Sequence, residues 1–553
     1  MLLTVNIEHK TIGGKELFTS LSFSVEAREK IAIIGRNGVG KTTLFRLLTN
    51  EDNDFEGSIQ WRNSTRVVST AQEHHDVAEL SALNYIIENL PDYKNLKHII
   101  DTYPEIMGDN LRKIEIYSNA LEHFSSLGYY NIEDTLLQSL ADYQINEEMA
   151  RAPLGRLSGG QKRFVELVRV EHSDADLALI DEPTNHMDYV AKNTFIGWLK
   201  AVKHSVVVIS HDRDVLEYVD RIIEIKDGKA FSFKGNYTAY LKQNAVSTTT
   251  KMHDFEVVGR QIINLKAKIV QFRRLKEKAR DPDTIKQFKH RENQATAELA
   301  KLEIIEKPSF WIDRESAGTL KKAASEHYEK YKAKNVIIRT QKTIEREREL
   351  LNIEEIQLSY GEQPLFKPIS FTLRHGDRLQ LVGRNGVGKT TLVKAIIDAA
   401  YNRRSATYRG GTIFTDRQLR LSVYEQEVGG AMLEMPLKDA IEHIYLEQKL
   451  PINNEKAMQL MGDYLFDPYQ DGELKVSMLS GGQKARLQII KMLSNNPNLL
   501  ILDEPTNHLD LPSIEELETA LTQYHGALLY VSHDSYFTKN IGGERVTLEP
   551  SLT

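Results

Sequence analysis

The chain has 553 residues, 41% of them hydrophobic and 27% charged, with a net charge of −7, so more than one domain is expected. Cysteine is absent, which excludes disulfides and thiolate-held metals and fits a reducing, cytoplasmic setting. No run approaches the ~20 continuous apolar residues that span a bilayer, and Met1-Leu2-Leu3-Thr4-Val5-Asn6 lacks the basic-then-apolar pattern expected of a signal peptide.

In chain order, Leu17 to Val25 alternates like strands on a half-buried sheet, and Leu365 to Leu373 repeats the pattern at an offset of 348. The apolar run Ile31-Ala32-Ile33-Ile34 leads into Gly35-Arg36-Asn37-Gly38-Val39-Gly40-Lys41-Thr42-Thr43-Leu44 and then an amphipathic stretch. Strand, glycine-rich loop and helix in that order make a phosphate cradle. Gly35, Asn37, Gly38 and Gly40 are expected to wrap phosphates with backbone N–H groups. Lys41 would pair with the β/γ-phosphates, and Thr42, followed by Thr43, would hold Mg²⁺. The same ten letters recur as Gly383 to Leu392, after Leu379-Gln380-Leu381-Val382. Gly383, Asn385, Gly386, Gly388, Lys389, Thr390 and Thr391 are therefore the matching candidates. One match would be compatible with an accidental glycine turn; two identical ones are not.

Each loop is followed by an apolar strand closing in glutamine, Gln72 in the first half and Gln426 in the second, read as ligand positions near the γ-phosphate and Mg²⁺. Leu157-Ser158-Gly159-Gly160-Gln161-Lys162 recurs as Leu479-Ser480-Gly481-Gly482-Gln483-Lys484. A hydroxyl, bare N–H groups and a helix N-terminus together form an anion site. Leu177-Ala178-Leu179-Ile180 and Leu499-Leu500-Ile501-Leu502 predict buried parallel strands, each ending in Asp-Glu-Pro-Thr-Asn-His. Asp181 and Asp503 are expected to hold Mg²⁺ through water. Glu182 and Glu504 would polarise the attacking water. Two further apolar strands end in Ser-His-Asp, so His211 and His533 are read as γ-phosphate contacts.

The halves differ in spacing. Gly35 to Ser158 spans 123 positions and Gly383 to Ser480 spans 97, a surplus of 26 in the first half. Leu96, Ile99, Ile100, Leu111, Ile114, Leu121 and Phe124 predict helices there, within Asn84–Gln144. Tyr360 stands ahead of the Leu365 strand, where it would stack on a base; Ile12 is its counterpart.

Between the halves, Phe255, Val258, Ile262, Leu265, Ile269 and Phe272 recur at spacings of three and four, predicting a helix of roughly 25 residues and ~37 Å. Asp281-Pro282-Asp283-Thr284 breaks it. Ile285, Phe288, Ala295, Leu299 and Leu302 resume the seam, interrupted by Glu292, and imply an antiparallel helical hairpin. Phe310-Trp311-Ile312 would dock the returning chain on a domain. Residues 251–350 carry 24 Lys and Arg against 16 Asp and Glu, an excess of +8, while the remainder carries −15. Arg273, Arg274, Lys276, Lys278, Arg280, Lys286, Lys289 and Arg291 crowd the hairpin tip. A solvated coiled-coil surface would mix signs more evenly, so contact with a nucleic-acid backbone is expected.

The phosphate loop, Leu-Ser-Gly-Gly-Gln, Asp-Glu-Pro-Thr-Asn-His and Ser-His-Asp, each present twice, resemble the ATP-binding-cassette ATPases. Two cassettes in one chain, no membrane segment and a basic linker of about a hundred residues resemble their F subfamily. The resemblance implies an α/β fold with two P-loop cassettes in tandem, joined by an antiparallel coiled-coil linker. It divides the chain into a first cassette at 1–245, with a helical arm at about 85–140, a linker at 246–350 and a second cassette at 351–553. It further implies a cytoplasmic, monomeric ATPase converting ATP and water to ADP and phosphate, with two ATP and two Mg²⁺ per chain. The implied partner is the ribosome, bound through rRNA at the tRNA exit site, with the linker aimed at P-site tRNA and the peptidyl-transferase centre. The arm would touch the L1 stalk region, as in the translational-throttle type. The cassettes would close head to tail. Lys41 and Glu182 would then share one ATP with Ser480 and Gly482, and Lys389 and Glu504 the other with Ser158 and Gly160. Ile12 implies weaker base stacking in the first site.

Other readings stay open. A transporter motor would need separate membrane subunits and leaves the basic linker without a task. A DNA-repair or chromosome ATPase usually splits its cassette with zinc modules or very long coiled coils, which zero cysteines and a short hairpin oppose. Within the F subfamily, the arm favours a general translation factor and the extended linker an antibiotic-resistance ribosome-protection factor.

Overall fold

The glycine-rich loops owe their position to the strands that precede them. In the computed structural model of the chain, the first apolar run lies in strand Lys30–Gly35. Described are residues 1–13, 15–70, 77–185, 187–244, 265–266, 268–272, 274–275, 281–303, 348–360, 363–401, 403, 408–424, 429–464, 466–469, 471–479, 481–507 and 509–551. Strand Lys30–Gly35 sits inside a six-stranded sheet, flanked by Ser205–Ile209 and Arg221–Lys226, both parallel to it. Beyond Ser205–Ile209 come Leu177–Asp181 and then Val67–Ser69, also parallel. Lys229–Lys234 closes the other edge antiparallel.

The second half repeats the plan. Its five parallel strands run in the order Leu421–Tyr424, Leu499–Asp503, Ala527–Val531, Arg378–Val382 and Glu544–Thr547. Every residue of Leu177–Asp181, Ser205–Ile209 and Ala527–Val531 is buried, as expected when helices cover both faces of a parallel sheet. Parallel pairing has a direct consequence for function. The carboxyl ends of adjacent strands share one edge, so loops distant in sequence open side by side, as is usual for ligand sites of α/β sheets. Asp181 pairs with Ile209 and Asp503 with Val531, which brings each Asp-Glu end beside its Ser-His-Asp end.

Each half also carries an antiparallel sheet. Leu3–Ile12 pairs with Lys15–Val25 and Glu56–Trp61, and Glu349–Tyr360 pairs with Ile369–Arg374 and Tyr408–Thr415. The alternating repeat from Leu365 gives a shorter strand than Leu17 to Val25, beginning only at Ile369. Pro368 has no N–H to contribute to a ladder, and Phe366 instead makes an isolated bridge with Pro550.

The surplus of the first half holds two helices, Tyr93–Ile106 and Leu111–Ser126. Few of their residues are buried: Leu96, Ala120 and Phe124. At their base Tyr93, Phe124 and Tyr129 meet ring to ring, with centroids 5.4–5.7 Å apart.

By contact density, Met1–Tyr237 with Val336–Thr553 forms one unit, holding both cassettes, and Thr238–Asn335 forms another. In the second unit helix Pro282–Glu303 opens on Pro282, where a missing N–H costs nothing, and passes Glu292 unbroken. Leu265, Ile269 and Ala295 are buried together with Phe272 against them. Arg274, Lys286, Lys289 and Arg291 are exposed. Phe255, Val258, Ile262, Arg273, Lys276, Lys278, Arg280 and Phe310 to Ile312 lie outside the described residues.

Candidate functional site

Each phosphate loop turns into a helix, Lys41–Leu48 in the first cassette and Lys389–Ala400 in the second. Gly40 and Gly388 precede those helices with φ of 98° and 104°, a region L side chains rarely enter. A Cβ on Gly40 would also stand 2.8 Å from the Phe18 ring. Lys41 Nζ folds back over the loop, donating to the Gly35 carbonyl at 2.8 Å and the Arg36 carbonyl at 3.3 Å. Lys389 Nζ does the same with Gly383 at 2.7 Å and Arg384 at 3.2 Å. Burial holds both ammonium groups below the ordinary lysine pKa, against the raising effect of nearby carboxylates. An ammonium at a helix N-terminus, ringed by N–H groups, is a built receptor for phosphate oxygens.

The Mg²⁺ candidates meet in pairs. Thr42 Oγ1 donates to Asp181 Oδ2 at 3.0 Å, and Thr390 Oγ1 to Asp503 Oδ2 at 2.8 Å. A hydroxyl and a carboxylate, with no nitrogen or sulfur, suit Mg²⁺, which keeps several waters and shares substrate phosphates. Among the described residues no group of three or more His, Cys, Asp or Glu converges as a metal cage. Gln72 and Gln426 lie outside the described residues.

The next residues are strained. Glu182 and Glu504 sit at φ 44° and 46°, left-handed values for non-glycine residues. Their amides donate to Ile209 and Val531 carbonyls, 2.9 Å in each case, tying each glutamate to the neighbouring strand. Burial pushes the Glu182 carboxyl up to about 8 and that of Glu504 up to about 7. His211 Nε2 stands 3.6 Å from Glu182 Oε1, and His533 Nε2 stands 3.3 Å from Glu504 Oε1. Burial lowers both imidazoles, His533 to about 4, so each is neutral near pH 7.

The halves then meet. Ser158 caps helix Gly159–Glu171, with a capping box in which Gln161 N donates to Ser158 Oγ and Ser158 N donates to Gln161 Oε1. Gln161 is thus engaged in holding the turn. Ser158, Gly160 and Gln161 line a cavity of about 470 Å³ opposite Arg384, Asn385 and Gly386 of the second cassette. Asn385 N donates to Asp188 Oδ2 at 3.0 Å, and reciprocally Asn37 N donates to Asp510 Oδ2 at 2.9 Å. On the first loop, Gly38, Gly40, Lys41, Thr42 and Thr43 share a cavity with Asp181 and Glu182. Gly481, Gly482 and Gln483 open helix Gly481–Leu493; Ser480 lies outside the described residues. Tyr360 ends its strand and Ile12, half exposed, ends the matching one. A third cavity brings Glu182 and His211 together with Glu504 and His533.

Sequence reasoning passed over the residues that bridge the halves. Asp188 and Asp510 close the Asp-Glu-Pro-Thr-Asn-His blocks, and their recurrence at a fixed offset was the signal for them. Lys192, Arg213 and Glu518, all buried, also cross the interface. For these the sequence held no signal, since their counterparts at the 322 offset are Ile514, Ser535 and Ile196.

Comparison with known proteins follows the same pattern. The family model described as ABC transporter matches residues 18–185 and again 366–507. The chain is similar to the putative ATP-binding protein YdiF of Bacillus subtilis (strain 168), 30% identical over 100% of this chain and 80% of that protein. It is 28% identical to the ribosome protection protein VmlR of the same organism, covering 97% of this chain and 85% of VmlR. It is 25% identical to ABC transporter F family member 5 of Arabidopsis thaliana, over 98% of this chain and 74% of that protein. Among solved structures, RNase-L Inhibitor superposes with a TM-score of 0.54 at 16% identity, covering 97% of this chain and 86% of its own. That last likeness concerns the fold.

Proposed function

The chain belongs to the ATP-binding-cassette family, and within it to the F subfamily; from that premise we propose that it hydrolyses ATP at two shared sites and works on the ribosome. One observation carries the ATPase part. The Ser158 helix start of one cassette and the phosphate loop of the other line a single cavity, joined by the Asp188–Asn385 contact. A γ-phosphate held there would meet N–H groups from both halves, so ATP would favour the closed pair over the open one.

In this reading Lys41 and Lys389 bind the β/γ-phosphates. Thr42 with Asp181, and Thr390 with Asp503, would hold Mg²⁺, which neutralises charge developing on the phosphates. Glu182 and Glu504 orient and polarise the attacking water, and the neutral His211 and His533 reach the γ-phosphate. The partner follows from the relative whose name states ribosome protection, and from the exposed basic residues of the second unit, Arg274, Lys286, Lys289 and Arg291. We assign these, with Arg273, Lys276, Lys278 and Arg280, to rRNA or P-site tRNA backbone, the chain sitting at the tRNA exit site. That same relative favours a second reading, an antibiotic-resistance factor of the same family. Among the described residues no helix is long and apolar enough to cross a membrane, so a transporter motor would still need separate membrane subunits.

The test is ribosome co-sedimentation with ATP across a salt series. Glu182→Gln/Glu504→Gln should persist on ribosomes and inhibit translation. Changing Arg273, Arg274, Lys276, Lys278 and Arg280 to Glu should weaken binding and flatten its salt dependence, because each phosphate contact releases counterions. An unaltered chain that does not co-sediment would remove the ribosome from this reading, and charge-reversed curves that match the unaltered chain would remove the RNA contacts.

A further inference from the structure

The contacts between the cassettes are not symmetric. Lys192 of the first cassette is 5% exposed, and its Nζ donates to the His533 carbonyl of the second at 2.8 Å. It also pairs with Asp214 at 2.6 Å and Asp212 at 3.2 Å, which fix its position. The preceding carbonyl, that of Ser532, accepts from Gln380 Nε2 at 3.2 Å. Two donors therefore hold consecutive carbonyls of the Ser-His-Asp segment that carries His533. At the positions that would serve the His211 segment in the same way stand Ile514 of the second cassette and Ala32 of the first, neither of which has a side-chain polar hydrogen to donate. The reach of the two imidazoles differs in the same sense, 3.3 Å to Glu504 and 3.6 Å to Glu182.

Lys192 lies one helical turn after Asp188, at the start of helix Tyr189–Ala201. Asp188 accepts from the Asn385 amide of the second phosphate loop. One short segment of the first cassette therefore grips both the loop and the histidine of the site built on Lys389 and Glu504. In the reverse direction Asp510 reaches Asn37, but Ile514 offers the His211 segment nothing equivalent.

We propose that Lys192 is a positioning residue acting across the interface, which pre-organises His533 and Glu504 and leaves the site of His211 and Glu182 without such help. A buried ammonium held by two carboxylates is a stiff donor, because leaving its place would strand all three charges. A carbonyl fixed by it sets the backbone from which the imidazole projects. Misplacing a catalytic group by about 1 Å can cost ~100-fold in rate, so this support acts on the chemical step more than on binding.

The inference rests on the ATPase reading above, and its test separates the two. The full chain is prepared as Glu182→Gln, leaving the Glu504 site active, and as Glu504→Gln, leaving the Glu182 site active. Single-turnover hydrolysis of bound ATP is timed by rapid quench in each, with and without Lys192→Met. We expect at least tenfold slowing in the Glu182→Gln background, less than twofold in the other, and an unchanged Kd for ATP in both. Lys192→Arg, which keeps a buried donor, should recover most of the rate. Gln380→Ala, which leaves the interface charges intact, should slow the same site by about threefold and covers the case in which Lys192→Met does not fold. In the otherwise unaltered chain the burst should show two phases of equal amplitude, and Lys192→Met should slow the faster of them. Equal slowing of both sites, or none at the Glu504 site, would overturn the proposal. An unaltered chain that hydrolyses no ATP would instead sink the ATPase reading itself.

Discussion

The two cassettes share every letter of their phosphate loops and differ in what surrounds them. Both raise a strained glutamate beside a neutral histidine, and both lend an aspartate to the other's loop. The charges that cross their interface are nonetheless one-sided. Arg213 pairs with Glu518 at 3.0 Å, each side chain 4% exposed, and Asn540 donates to the other oxygen of Glu518 at 2.9 Å. The mirrored positions are Ser535 and Ile196, which form no ion pair. The recurring blocks therefore take the same geometry in both halves, while the residues that cross between the halves differ. A catalytic group tolerates little change in geometry; an interface needs only that two surfaces remain complementary to each other.

The sharpest way to break this comparison is to remove one water-polarising carboxylate at a time. Glu182→Gln and Glu504→Gln should each reduce hydrolysis at their own site by about 10²–10⁴, with ATP binding retained, since general-base catalysis is of that size. Measuring phosphate release and ATP binding side by side checks it; unchanged turnover in the double variant would end the assignment.

Next in size is the buried ion pair. Arg213→Met strands the Glu518 carboxylate, and breaking a buried pair from one side costs about 3–5 kcal/mol. Ser535→Ala at the mirrored position loses only the hydroxyl donated to Asp214 and should cost about 1 kcal/mol. Thermal unfolding of the two variants compares them directly, and equal midpoints would show that the pair adds nothing to the docked state.

A smaller effect is expected at the base-stacking positions. Aromatic stacking is worth about 1–3 kcal/mol per base, so Tyr360→Ala should weaken ATP binding at one site by roughly tenfold. Ile12→Tyr should strengthen the other. Titration with ATP, read as two binding phases, resolves both; a Tyr360→Ala chain with unaltered phases would remove Tyr360 from the site.

The smallest effect concerns the pair of helices found only in the first cassette. Removing 26 residues from within Asp92–Leu127 should leave ATP affinity within about twofold, because only Leu96, Ala120 and Phe124 are buried in that pair. Ribosome binding should change. Lost ATP binding would show that these helices belong to the cassette core.

The sequence alone was enough for the duplicated fold and for many of the residues that gather at each candidate site. Phosphate binding needs backbone conformations that glycine supplies, an ammonium two residues from a fixed turn, and carboxylates at the end of an apolar strand. All of these are local in the chain, so they leave letters that can be read, such as Gly40, Lys41 and Asp181. The short second strand is a partial case. Pro368 was visible, yet the alternation around it suggested a full-length strand, and only the absent N–H decided against it.

What the tertiary structure decided is how the halves use each other. Lys192 reads as one more polar residue on a helix until His533, 341 positions away, is found at its ammonium. Arg213 and Glu518 lie 305 residues apart, and neither belongs to a recurring motif. Such contacts depend on where two surfaces meet, and a surface is assembled from residues with no fixed spacing along the chain. Motif and period record short-range geometry. The docking of one cassette on the other is long-range, and only the folded arrangement specifies which buried charge faces which carbonyl.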